Sequence, residues 1–353
     1  MSMINVNDLT FSYEGVYDNI FEHTSFQIDT DWKLGFIGRN GRGKTTFLNL
    51  LLGRYEYQGS IEASVTFDYF PYEVSNEAEL TLEVMKGVIA PFKKWEMEKE
   101  ECIKESTEEA MIRYGEIEEK YQAQDGYVIE DFIKIELNKL FVGENVLYRP
   151  FSTLSKGEQT KVLLIALFLK KNNFLLIDEP TNHLDVEGRQ ILAQYLNGKE
   201  GFILVSHDRN FLDQCVDHIL SINRNTIDVQ KGNYSSWHKN KELEDRFEIE
   251  RNEKLHKEIA HLTKAVKQTS DWSDKVEKSK IGSGSFDRGY IGHKAAKMMK
   301  RSKAIERRRE ASIEETKGLL QNIEKVCDLK MNLLKHVKQK LITVSDFSIV
   351  YDE

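Results

Sequence analysis

The chain has 353 residues, with 50 Lys and Arg against 58 Asp and Glu, for a net charge of -8. Hydrophobic residues make up 40% and aromatic residues 10%, which is richer than a disordered chain, and the length suggests about two units at roughly 150 residues each. The acidic total, taken alone, argues against a nucleic-acid binder.

The longest purely apolar run, Val162 to Leu169, has eight residues, far short of the ~20 that a membrane span needs. Met1-Ser2-Met3-Ile4-Asn5 shows no basic segment leading into an apolar one, so no signal peptide is expected. Cys102, Cys215 and Cys327 lie far apart and form no CxxC pair. That fits a reduced, cytoplasmic setting and supplies no metal framework.

Up to about residue 235, short apolar runs alternate with helical patterns. Strands are expected at Trp32–Ile37, Val65–Phe70, Phe174–Ile177 and Phe202–Val205, each followed by a helical segment. Such alternation predicts an α/β domain. Residues 92–124 read as one charged helical excursion from it.

From about Lys239 the chain becomes polar and helix-forming. Leu243, Phe247, Leu255, Ile259, Leu262 and Val266 make a narrow apolar stripe, the pattern of a helix with one partner. Residues 281–292 hold four glycines. A second helical run follows from His293 to about Val326, striped at Ile313, Leu320 and Ile323. The expectation is an antiparallel α-helical hairpin over 239–338, with its tip near 280–292; a charged linker is the alternative. None of the four prolines follows Pro180, so nothing breaks these helices. Residues 339–353 echo the N-terminus: Ile342, Val344, Asp346 and Tyr351 repeat Ile4, Val6, Asp8 and Tyr13 in register. They read as the first strand of a second, truncated copy of the α/β domain.

The chemistry concentrates in the first domain, residues 1–238. Gly38-Arg-Asn40-Gly41-Arg-Gly43-Lys44-Thr45-Thr46 matches GxxxxGK[ST] between a strand and a helix, the context that makes a phosphate loop credible. Glycines let backbone N–H groups wrap phosphates, and the helix N-terminus adds positive potential. Lys44 would neutralise β/γ-phosphates and Thr45 would ligate Mg²⁺. The strand Phe174–Ile177 runs into Asp178 and Glu179. Asp178 would hold the Mg²⁺ shell and Glu179 would serve as general base for an attacking water.

Three further segments complete a pattern. Leu154-Ser155-Lys156-Gly157-Glu158-Gln159 precedes a helix, Pro180-Thr-Asn-His-Leu-Asp185 follows the acid pair, and Ser206-His207-Asp208 closes the next strand. They resemble the signature motif, D-loop and switch histidine of ATP-binding-cassette (ABC) ATPases, in the family's order, over roughly residues 4–237. The resemblance implies an ABC-type P-loop nucleotide-binding domain using ATP and Mg²⁺. It implies that Tyr13 stacks on adenine, an ordinary strand-end tyrosine being the alternative, and that His207 contacts the γ-phosphate. Ser155, Gly157 and Glu158 would serve the nucleotide of an opposing cassette. Two positions depart from the pattern. Tyr72 stands near the usual glutamine, and Lys156 stands where glycine is usual.

A long hairpin after a complete cassette, leading into a second one, resembles the ABC-F translation proteins. By that resemblance the chain binds the ribosomal exit site, with its hairpin toward ribosomal RNA and P-site tRNA. Gly282-Ser-Gly-Ser-Phe286 and Ile291-Gly-His-Lys-Ala-Ala-Lys-Met-Met-Lys-Arg-Ser-Lys303 are similar to antibiotic-resistance members that act against lincosamides, streptogramin A and pleuromutilins. Phe286 either probes a deep site or packs the hairpin turn. Charge fits an RNA target independently. Residues 275–309 carry 12 basic and 3 acidic side chains, whereas residues 92–124 carry 6 and 10. A single-sign concentration of this density suits phosphate contacts. A housekeeping ABC-F translation factor and the ATPase subunit of a membrane transporter are the alternatives.

Overall fold

The computed structural model describes residues 2–15, 18–39, 41–105, 107–223 and 226–278, with isolated positions between 300 and 345. The chain divides into two units, Met1–Glu242 and Leu243–Glu353.

The first unit is mixed α/β. Strands β1 (Met3–Phe11), β2 (Phe21–Asp29) and β4 (Gln58–Glu62) form an antiparallel sheet in the order β2-β1-β4. The second sheet contains β3 (Lys33–Ile37), β5 (Thr66–Phe70), β6 (Asn173–Asp178), β7 (Phe202–Val205), β8 (His218–Asn223) and β9 (Thr226–Lys231). Its order is β5-β6-β7-β3-β8-β9, with β9 antiparallel to β8 and the other pairs parallel. The expected strands thus form, within a residue or two at each end.

The central strands read as continuous apolar runs because both of their faces are covered. Along β6, Leu175 and Ile177 enter one core while Phe174 and Leu176 enter the other. Along β7, Phe202 and Leu204 face the first, Ile203 and Val205 the second. The first core is roofed by helices α2 (Thr81–Ile89), α5 (Ile129–Lys139) and α6 (Lys156–Leu169). Val162 to Leu167 of α6 are all buried, as expected of a helix apolar on every side. The second core holds α1 (Lys44–Leu51), pinned by Phe47. The Phe47 ring lies 5.4 Å from Phe36, 5.7 Å from Phe26 and 6.0 Å from Phe21. That anchor fixes where α1 begins, and so where the preceding loop sits.

The excursion at 92–124 is two helices rather than one, α3 (Phe92–Glu105) and α4 (Glu108–Ala123). The break has a local cause: the Thr107 side chain accepts from the Ala110 N–H at 3.2 Å and caps α4. The pair closes on Cys102, Ala110 and Ile117. Lys99 sits 2.7 Å from Glu118 and 3.7 Å from the Tyr121 ring centroid, so even its buried charge is paired. Helices α7 (Val186–Asn197) and α8 (Arg209–Cys215) follow β6 and β7.

Helix α9 (Tyr234–Lys278) has 45 residues, or about 68 Å at ~1.5 Å per residue. It starts five residues before the expected Lys239. The glycine-rich tip lies outside the described residues, as do most of the second arm and the strand expected at 339–353. Among the described residues no helix is long and apolar enough to cross a membrane.

Candidate functional site

The C-terminal ends of β3, β6 and β7 deliver three segments to one place, the position where open α/β sheets bind ligands. After β3 the chain turns through Gly41 and Gly43, at φ 78° and 93°, into α1. A Cβ on Gly43 would fall 2.5 Å from Ile20 Cγ2, whereas one on Gly41 would meet nothing within 4 Å. Lys44 Nζ donates to the carbonyls of Gly38 and Arg39 at 2.8 and 3.3 Å. Burial lowers its pKa, against the pull of the Glu179 and Asp178 carboxylates.

A pocket of about 560 Å³ opens here, lined among others by Tyr13, Lys44, Thr45, Asp178, Glu179 and His207. Thr45 Oγ1 donates to Asp178 Oδ2 at 3.3 Å. Glu179 has φ 50° and hands its N–H to the Val205 carbonyl at 2.9 Å. A non-glycine residue in that region is unusual, and the bond to β7 holds it there. Its Oε1 is buried without a hydrogen-bond partner, 3.5 Å from His207 Nε2. Burial raises the Glu179 pKa, partly opposed by His207. A carboxylate made more basic by its surroundings suits proton acceptance.

Tyr13 stands at the mouth of the pocket. Its hydroxyl pairs with Thr46 Oγ1 at 2.9 Å. Its ring packs edge-on against Phe11 and Tyr55, with centroids 5.2 and 5.7 Å away. One end of the ring is therefore fixed while 40% of the residue stays exposed.

The structure gathers Tyr13, Gly41, Gly43, Lys44, Thr45, Thr46, Asp178, Glu179 and His207. Gly38 supplies a carbonyl to Lys44 but lies against Ile222, which a Cβ would approach to 3.3 Å. Asn40 lies outside the described residues. Ser155, Gly157 and Glu158 do not line this pocket. Ser155 caps α6 through the Glu158 N–H, and Glu158 Oε2 accepts from the Ser155 N–H at 2.8 Å, a reciprocal capping box. Gly157 abuts the segment after β6: a Cβ there would lie 3.2 Å from the His183 carbonyl. Lys156 Nζ donates to Gln159 Oε1, one turn further along its own helix, at 2.9 Å.

Tyr72 is also absent from the lining. Tyr69 is present instead, its hydroxyl donating to Asp178 Oδ2 at 3.1 Å. Sequence reasoning missed Tyr69, together with Ile20 and Asn182. The usable signal for Tyr69 was its place near the end of an alternating strand. Its relevance depends on β5 pairing with β6, which brings Tyr69 opposite Leu176.

A glycine-rich loop entering a helix, beside an acid pair ending a parallel strand, defines a P-loop nucleotide-binding domain, and the family match makes it one of the ABC type. Residues 21–182 match the family described as ABC transporter. Among similar proteins is the uncharacterized ABC transporter ATP-binding protein YkpA of Bacillus subtilis (strain 168). It is 32% identical over 282 residues, 76% of this chain and 51% of that one. YfmR of the same organism, another uncharacterized ABC transporter ATP-binding protein, is 29% identical over 322 residues, 85% and 51% of the two chains. The energy-dependent translational throttle protein EttA of Haemophilus influenzae (strain ATCC 51907 / DSM 11121 / KW20 / Rd) is 30% identical over 271 residues, 72% and 47%. The chain spans about half the length of these curated relatives.

Proposed function

We propose that the chain is part of an ABC-F ATPase that binds the ribosomal exit site and protects the peptidyl-transferase centre from antibiotics. The convergence of Lys44, Thr45, Asp178, Glu179 and His207 on one pocket carries the nucleotide half of this reading. Those residues fit Mg²⁺ and ATP. Thr45 and Asp178 offer two oxygens, and among the described residues no group of three or more His, Cys, Asp or Glu is arranged to hold a metal ion by itself. A pair that sparse suits Mg²⁺, which completes its shell with phosphate oxygens and water. When bound, Mg·ATP supplies the scissile phosphoanhydride with part of its charge neutralised. Lys44 and the N–H groups of the loop hold the phosphates, and Tyr13 carries the adenine. The buried Glu179 carboxylate takes a proton from the attacking water, and His207 orients that carboxylate and the terminal phosphate.

Ser155, Gly157 and Glu158, at the N-terminus of α6, then serve the nucleotide of a second cassette. Hydrolysis by this chain alone is accordingly weak. The ribosomal half is supported by the 12 basic against 3 acidic side chains of residues 275–309. It is also supported by the likeness to a translational throttle protein. The antibiotic specificity rests on the resemblance of residues 282–303.

Two other readings make different predictions. A housekeeping ABC-F factor shares the ribosomal site and gives no drug protection. A transporter ATPase subunit, which the matched family description favours, associates with a membrane partner instead. Co-sedimentation of the Glu179→Gln gene product with ribosomes and with membrane vesicles, with ATP and with ADP, tests the proposal. Retention on ribosomes with ATP is expected; partition to vesicles, or no nucleotide dependence, would refute it. Growth of a sensitive host in lincosamide and pleuromutilin then separates protection from a housekeeping role.

A further inference from the structure

Tyr72, which stands near the usual glutamine, does not line the pocket, yet a tyrosine three residues earlier reaches the Asp178 carboxylate. We infer that Tyr69 is a positioning residue for the divalent cation, acting through Asp178; this rests on the nucleotide reading above. Tyr69 Oη and Thr45 Oγ1 both donate to Asp178 Oδ2, at 3.1 and 3.3 Å. Two donors on one oxygen restrain the rotation of the carboxylate about its bond to β6 more than one donor does. Thr45 must relax that contact to turn its own oxygen toward a cation, and Tyr69 then remains as the group that keeps Asp178 aimed.

The tyrosine itself is held firmly. It lies on β5, hydrogen-bonded to β6 in register, so its Cα is fixed relative to Asp178. Its ring packs against the second core, and the Arg54 guanidinium sits 5.5 Å from the ring centroid. Arg54 is in turn tied to Asn49 Oδ1 of α1 at 3.0 Å. Outer hydrogen bonds such as that of Tyr69 to Asp178, when removed, typically cost 10–100-fold in metal affinity.

Tyr69→Phe keeps the ring and deletes the donor. The 353-residue chain is titrated with a fluorescent ATP analogue in EDTA, and then with Mg²⁺ at fixed nucleotide. In EDTA the variant should bind within about twofold of wild type. Its Mg²⁺ midpoint should rise by about tenfold. On an Asp178→Asn background the same change should move the midpoint less than twofold, because Tyr69 then has no carboxylate to aim. An unchanged Mg²⁺ midpoint in Tyr69→Phe would overturn the positioning role alone, and so would equal shifts on both backgrounds. Failure of the wild-type chain to bind nucleotide in either buffer would overturn the nucleotide reading and this inference with it.

Discussion

Gly41 and Gly43 occupy the same left-handed backbone region two residues apart, but only Gly43 is crowded. Replacing either by alanine places a Cβ in that region, at about 1–2 kcal/mol. For Gly41→Ala the cost stops there. For Gly43→Ala the new methyl lies 2.5 Å from Ile20 Cγ2 and 3.2 Å from Phe21 Cζ. Phe21 is fully buried and packs on Phe47, so it has little room to yield. Overpacking of this kind costs about 1–3 kcal/mol more. Gly43→Ala should therefore melt below Gly41→Ala by about 2–12 °C, taking ~2–4 °C per kcal/mol for a domain of this size. Circular dichroism melts of both variants and wild type, without nucleotide, measure the difference. Equal melting points, or a lower one for Gly41→Ala, would refute the packing of Ile20 and Phe21 against the loop.

Other substitutions test other parts of the structure. Ser155→Ala removes half of the capping box on α6 and should cost about 1 kcal/mol by urea unfolding. Glu158→Ala should add little to it, since the two side chains act together. Tyr13→Ala should weaken ATP binding by about 5- to 150-fold, the range of a lost stacking platform, while Tyr13→Phe stays within about threefold in the same titration. Acid should act through Glu118, whose carboxyl is held down at about 2 by hydrogen bonds from Lys99, Gln122 and Tyr127. A depressed carboxyl pKa stabilises the fold at pH values above the ordinary carboxylate range, and that stability is lost as pH falls toward 2. Glu118→Gln should flatten the loss of stability of the helical pair between about pH 4.5 and 2, followed by hydrogen exchange on α3 and α4.

The strands and the phosphate loop were legible because local rules fix them. Both faces of β6 and β7 are buried, so their apolar runs stand out, and GxxxxGK[ST] needs no partner to be read. The acid pair was legible because it ends such a strand. What the sequence concealed depends on neighbours. Tyr69 reaches Asp178 only because β5 lies beside β6, and strand order is set by packing rather than by any local pattern. Ser155 and Glu158 resemble part of a binding motif, and what the structure shows of their side chains is a capping box on their own helix, which the motif does not display. The -8 of the whole chain gave the wrong impression of charge, because the acidic cassette offsets a basic segment at 275–309. The break between α3 and α4 was missed because the flanking residues keep a helical composition on both sides of a single capping threonine.

The most direct measurement is the affinity for Mg·ATP of Lys44→Ala and Glu179→Gln side by side, by equilibrium titration of the 353-residue chain. In the proposed reading Lys44 holds the phosphates, whereas Glu179 takes a proton only during hydrolysis. Lys44→Ala should therefore lose binding by at least about tenfold, given that a hydrogen bond to a charged group contributes ~1.5–3 kcal/mol. Glu179→Gln should bind as tightly as wild type or tighter, because a buried carboxylate beside the phosphates has been neutralised. Equal losses in the two variants, or intact binding in Lys44→Ala, would contradict the assignment of this pocket as the nucleotide site.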